Sequence, residues 1–263
     1  MFENVHRFLH EDIQGAVLRV MEDEVLAADE FLPEGRKLAA PQEYPFAYTC
    51  CYLQHRGHNI LIDVGFDADT VPGALESIDI APEEIDLVLL THADRDHIQG
   101  ALRPDGSFTY PNAQHVIGRE LWENLRRPET LAALDDERRP FYRKLVRAFD
   151  DILHLCDDES EVTEGIVFLP CPGHRIGHAA YELATAGAPL IHSGDSFFHP
   201  LFVEHPDWPN LHDSVPDQAA ASRIRLAERA AARSALVLGS HLAFPGIGRI
   251  ESIDGAFRWA NVS

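Results

Sequence analysis

Basic residues are scarce in this sequence: 22 lysines and arginines stand against 43 aspartates and glutamates, a formal net charge of −21. Nucleic-acid binding draws much of its affinity from lysine and arginine neutralising phosphates, so a surface this acidic argues against a nuclease. An anionic membrane surface is disfavoured for the same reason. Cysteine is sparse as well. Cys50, Cys51, Cys156 and Cys171 form neither a CxxC motif nor a paired framework. Cys50 and Cys51, as neighbours on a strand, would point to opposite faces, and all four read as buried free thiols. No apolar run approaches the roughly 20 residues that span a bilayer. The segment Met1–His6 lacks the basic stretch and apolar run of a secretion signal, so a reducing, cytoplasmic setting is expected. Linkers rich in Gly/Ser or Pro are missing, as are internal repeats, and 263 residues at 45% hydrophobic suffice for one domain with a substantial core.

What is present is an alternation of strand and helix patterns. Residues 1–45 give only a strand at Ala16–Val20 and an extended arm over Leu32–Pro45. From there the pattern sharpens: Phe46–Gln54 and Asn59–Val64 are β-rich runs joined by a turn at Arg56-Gly57. A helix over Pro72–Ile78 precedes the apolar strand Leu87–Leu90. Strand Gln114–Ile117, helix Arg119–Leu125 and a charged helical stretch Glu129–Phe149 follow. Ile166–Leu169, Ala179–Leu183 and Pro189–His192 read as short strands, Asp217–Arg233 as an amphipathic helix, and Ala235–Leu238 as a strand. The class is therefore α/β or α+β. The clusters Asp135-Asp136-Glu137 and Asp157-Asp158-Glu159 read as solvated loop charge.

Fifteen histidines are many, yet a lone histidine is more often a hydrogen-bonded structural residue than a ligand. Position changes that judgement. His92, Asp94, Asp96 and His97 directly follow the strand Leu87–Leu90. His174 follows a second strand, Asp195 a third and His241 a fourth. A packed core has no need of imidazoles and carboxylates at the ends of buried strands. A metal centre does, because these groups are the ligands of divalent zinc, manganese or iron. Seven such residues exceed what one tetrahedral ion needs and suit two.

The pattern His92-Ala93-Asp94-Arg95-Asp96-His97, followed by a distant His174, Asp195 and His241, resembles the metallo-β-lactamase superfamily, as does Leu61-Ile62-Asp63-Val64-Gly65. The resemblance runs from about Phe46 to the end and implies a four-layer αββα sandwich. It implies a first metal on His92, Asp94 and His174, a second on Asp96, His97 and His241, and Asp195 bridging them, with Asp63 supporting the site from behind. Asp94 stands where the usual pattern has histidine. This adds a negative charge and a hard oxygen, and moves preference from zinc toward manganese or iron.

Asp195-Ser196-Phe197-Phe198 and the segments around His205 and His241 look like the branch holding N-acyl homoserine lactonases and methyl parathion hydrolase-like enzymes. Phe198 occupies the position where the best-known lactonases carry a carbonyl-polarising tyrosine. The implied activity is hydrolysis of a lactone or ester by water activated between two metal ions, with Asp96 shuttling a proton. A phosphotriester hydrolase, an iron oxidoreductase and a non-catalytic protein of the same fold are the alternatives. The expected partner is a small-molecule substrate, with neither nucleic acid nor membrane, and a homodimer is left open. Trp122, Phe198 and Phe244 are candidate cleft walls, although a core role is commoner for each. His178 and His192 are candidates for orienting the ligands, and Arg95 and Arg175 read as solvated surface cations.

Overall fold

The computed structural model describes residues 4–33, 43–150 and 152–262. These form two seven-stranded sheets. The first holds β1 (Val5–His10), β2 (Ile13–Ala27), β3 (Glu43–His55), β4 (His58–Ile62), β5 (Leu87–Leu89), β6 (Gln114–Gly118) and β7 (His154–Cys156), in that spatial order. β1 to β4 pair antiparallel, and β4 to β7 are parallel. Five helices connect or follow the parallel strands: α1 (Thr70–Glu76), α2 (Arg95–Ile98), α3 (Arg119–Leu125), α4 (Pro128–Ala133) and α5 (Arg138–Phe149). The second sheet holds β8 (Ser160–Thr163), β9 (Ile166–Pro170), β10 (Ala179–Leu183), β11 (Leu190–His192), β12 (Leu236–Leu238), β13 (Ile247–Ile253) and β14 (Ala256–Asn261). The helices α6 (Leu201–Glu204) and α7 (Pro216–Ala232) fall between β11 and β12.

Side-chain alternation sorts these strands into layers, because successive residues of a strand face opposite sides. Ile60 and Ile62 of β4, with Cys51 and Leu53 of β3, point into a core shared with Phe168, Tyr181, Leu190 and Leu238 of the second sheet. Cys50 and Leu61 point the other way, onto Val71, Leu121, Trp122 and Leu145 from the helices. Cys50 and Cys51 thus face opposite sides, and all four cysteines are free and buried. Ala180, Ile191 and Val237 of the second sheet lie under Leu226, Ala227 and Ala230 of α7. The result is the expected four layers, helix, sheet, sheet, helix.

Two differences from the sequence reading have physical causes. The helical stretch 129–149 is two helices: Leu134 is extended, and the Asp135 carboxylate accepts the Arg138 amide at 2.7 Å, which starts α5 afresh. β13 and β14 form a hairpin whose turn, Asp254-Gly255, has both residues at positive φ, 51° and 82°. β1, β7 and β8 are further strands that the sequence reading did not contain. Of the extended arm, residues 34–42 lie outside the described residues, and Glu43–Pro45 already belong to β3. Among the described residues, no helix is long and apolar enough to cross a membrane.

Candidate metal centre

β4 and β5 in the first sheet, and β9, β11 and β12 in the second, all end at one edge of the sandwich, and the histidines and carboxylates follow those ends. A strand core needs apolar residues, so the chain places its polar groups where the strands stop and the backbone can turn. Beyond β5 the chain runs out through Thr91 and His92, then turns into the single-turn helix α2, which carries Asp96 and His97.

The ligand-type atoms fall into linked groups, each with its atoms within 4.8 Å of one another: His92, Asp94 and His174; Asp96, His97 and His241; and His92, His97 and Asp195. Asp195 sits between the first two. Its Oδ2 is 3.3 Å from His174 Nε2, 3.1 Å from His241 Nε2 and 3.6 Å from His92 Nε2, and its Oδ1 is 3.3 Å from His97 Nε2. Asp96 Oδ2 lies 3.1 Å from His97 Nε2 and 3.3 Å from His241 Nε2.

Each imidazole is held from behind through Nδ1. His97 donates to Asp63 at 2.7 Å, His174 to Asp213 at 3.2 Å and His241 to the Ala47 carbonyl at 2.8 Å. Thr91 Oγ1 donates to Asp63, so its lone pair accepts from His92 Nδ1 at 3.0 Å. With Nδ1 protonated and engaged, every Nε2 lone pair is turned into the cluster. The Nε2 atoms of His92, His97 and His174 and Oδ1 of Asp195 are buried without a hydrogen-bond partner. Buried polar atoms are rarely left so, and four of them converging on one space fit divalent cations.

The electrostatics agree. Burial works against a charged His174, yet Asp195, Asp213 and Asp94 lift it to about 10. Burial opposes charge on His241 too, and Asp195 and Asp96 lift it to about 9. Burial would raise Asp96, but His97 and His241 hold its carboxyl well below the usual range. Without cations, this pocket draws protons onto His97, His174 and His241, while burial and the neighbouring His97 keep His92 neutral.

A cleft of about 430 Å³ opens on the cluster, walled by Leu26, Phe46, Tyr48, Phe198 and His212, with Glu24 and Glu30 at its rim. Phe198 stacks on His212 at 5.1 Å and packs against Phe46 at 4.6 Å. Trp122 and Phe244 are not walls. Trp122 is buried in the helix-side core, and Phe244 packs beneath Arg19 and against the core between the sheets. His178 Nε2 accepts the Asp195 amide at 3.0 Å, which fixes the backbone that carries Asp195, and His192 Nδ1 accepts the Gly194 amide at 3.3 Å. Arg95 is an exposed cation paired with Glu137. Arg175 is not a solvated surface cation, because it grips Asp94 through two nitrogens.

Sequence reasoning missed Asp213, which holds His174 and is itself held by the fully buried Arg223 at 2.8 Å. It also missed Thr91, the Ala47 carbonyl and the cleft residues Glu24, Leu26, Glu30, Tyr48 and His212. Thr91 had a signal, being adjacent to His92. Asp213 had none, since only the fold of the loop before α7 brings it to His174.

Comparison with known proteins gives the arrangement its family. The model of the metallo-β-lactamase superfamily matches residues 44–241. A probable metallo-hydrolase of Mycobacterium tuberculosis is 27% identical over 153 residues, covering 54% of this chain and 46% of that protein. An exodeoxyribonuclease, WalJ, of Streptococcus pneumoniae is 26% identical over 105 residues, 38% of this chain and 37% of that one. The chain thus spans less than half the length of either curated relative. Among solved structures, the hydrolase AbOPH of the β-lactamase superfamily superposes with a TM-score of 0.84 at 21% identity, over 100% of this chain and 99% of that one. AidC, a dizinc quorum-quenching lactonase, gives 0.84 at 20% identity, over 99% and 98%. At such identities the superpositions establish the fold, and together with the family match over residues 44–241 they lead to one conclusion: the chain belongs to the metallo-β-lactamase superfamily.

Proposed function

We propose that this chain is a hydrolase that binds two divalent metal ions and splits a lactone or ester with an activated water. The observation that carries the reading is the set of seven ligand-type residues gathered around Asp195, among which Nε2 of His92, His97 and His174 is buried without a hydrogen-bond partner. His92, Asp94 and His174 would hold one ion, Asp96, His97 and His241 the other, and Asp195 both. Four imidazoles suit zinc, and three carboxylates extend the range to manganese and iron. Bound there, the ions would supply Lewis acidity and a water of lowered pKa near neutrality.

The chain's own residues do the rest. Asp96 lines the cleft beside the position of the attacking water, so its carboxylate can take that proton and pass it to the leaving alkoxide. The apolar walls Leu26, Phe46 and Phe198 exclude water and favour an uncharged substrate with an apolar substituent. Glu24 and Glu30 at the rim repel anions, which with the net charge of −21 argues against a nucleic-acid substrate. The likeness to a dizinc lactonase supports the same substrate class.

The test is a panel of lactones, aryl esters, phosphotriesters and single-stranded DNA, offered to protein reconstituted with zinc, manganese or iron. Hydrolysis of a lactone or ester that is lost in Asp195→Ala is the expected result. Preferential cleavage of DNA or of phosphotriesters would replace the proposed substrate class. Inactivity of metal-loaded protein on every arm would count against hydrolysis itself.

A further inference from the structure

Asp94 carries a full negative charge between His92 and His174, and it has a partner. Arg175 Nε donates to Asp94 Oδ1 at 2.8 Å, and Nη2 pairs with Oδ2 at 2.6 Å. The third nitrogen, Nη1, donates to the carbonyls of His174 and His212. Every guanidinium nitrogen is engaged within the protein, so Arg175 is not a spare cation waiting for an anionic substrate. The oxygen it holds, Oδ2, is the one that faces the cluster, 3.7 Å from His92 Nε2 and 3.8 Å from His174 Nε2.

Two consequences follow from that shared oxygen. The planar fork fixes the rotation of the carboxylate, which a single hydrogen bond would leave loose. The guanidinium charge also cancels the carboxylate charge at close range. An ion beside His92, Asp94 and His174 then experiences a ligand set whose charge equals that of three neutral ligands. We propose that Asp94 and Arg175 work as one electrostatically neutral unit, with Arg175 the positioning residue that orients Asp94 and tunes the charge of the first metal position. This rests on the two-metal reading above.

The unit has a testable asymmetry. Removing the carboxylate alone leaves Arg175 as an uncompensated cation beside the ion. Removing both returns the charge to its original value. The experiment measures zinc and manganese affinities of the full chain by competition with a chromogenic chelator. It compares wild type, Asp94→Asn, Arg175→Gln and the double variant, with the melting temperature of each metal-free protein as a check on folding.

Asp94→Asn is expected to weaken the more affected equivalent by at least about tenfold, and Arg175→Gln on that background to recover about tenfold, because a unit charge a few ångströms from a divalent ion is worth several-fold to hundredfold in binding. Should Asp94→Asn fail to fold, Asp94→His with and without Arg175→Gln repeats the cycle, and the same rescue is expected. If Arg175→Gln leaves the Asp94 variant unchanged or weakens it further while wild type binds metal normally, the paired unit is refuted and the two-metal reading stands. A wild-type chain that binds no divalent ion refutes both.

Discussion

Replacing Asp63 by asparagine exchanges one oxygen for an amide nitrogen at a fully buried position behind His97. Asp63 accepts three hydrogen bonds there: the Thr91 amide at 2.8 Å, the Thr91 hydroxyl at 2.8 Å and His97 Nδ1 at 2.7 Å. Asparagine can keep the first through its oxygen. Its NH₂ cannot accept the other two, so Thr91 must re-aim its hydroxyl and His97 must move its proton or lose its partner. A proton moved to Nε2 removes the lone pair that faces the cluster. Two charge-assisted bonds at about 1.5–3 kcal/mol each, partly replaced, leave a loss of roughly 3 kcal/mol in stability. Metal affinity should fall about 10- to 100-fold, as is usual when a ligand's orienting partner is lost. The backbone adds little, because φ at Asp63 is 60° and asparagine tolerates that region. Alanine at the same place would add about 1–2 kcal/mol of backbone cost. Urea unfolding of the metal-free protein, with chelator competition for affinity, reads both effects. An Asp63→Asn protein with an unchanged midpoint and metal affinity within about twofold of the parent would refute the orienting role.

Further outcomes follow from the buried charges. Arg223→Met should destabilise by about 3–5 kcal/mol, because it takes the guanidinium from the buried Asp213 carboxylate, which keeps His174, and adding Asp213→Asn should recover part of that; denaturant titration of the single and double variants checks it, and a double variant no better than the single would count against the pair. His115 packs between Phe108 and Phe149, and burial lowers its pKa from 6.5 to about 4. The unfolded chain therefore takes up a proton below about pH 6.5 that the folded chain refuses until about pH 4, so this stability is present above 6.5 and lost as pH falls through that window, by at most about 3 kcal/mol. In His115→Leu the loss of stability between pH 7 and 4.5 should be smaller than in the parent, and equal losses would place the proton uptake elsewhere.

The parts of the site legible in the sequence are those that sit side by side with a strand end. His92, Asp94, Asp96 and His97 follow one apolar run, and Asp195 and His241 each close a short run of small polar residues after another. A strand that stops in ligand-type residues is a local signal. The supports are different in kind. Arg175 and Asp94 are 81 residues apart, and His174 and Asp213 are 39 apart, so nothing in local pattern pairs them. Phe46 and Tyr48 reach the cleft because β3 runs on past the end of β4, paired there with β2 alone. The hairpin of β13 and β14 carried a signal in Asp254-Gly255, but much of it is exposed, and its periodicity is correspondingly faint. The break between α4 and α5 depends on Asp135 capping, whereas charge patterning reads Asp135-Asp136-Glu137 only as solvated charge and names no cap.

The most direct test of a two-ion centre is a count of metal. The full chain, stripped with chelator and reconstituted anaerobically with a saturating excess of zinc or manganese, is desalted and measured by elemental analysis against protein concentration. Two equivalents per chain, falling to one or none in Asp195→Ala, is the expected result. A firm single equivalent at saturation, unchanged in Asp195→Ala, would contradict both the paired centre and the central place given to Asp195.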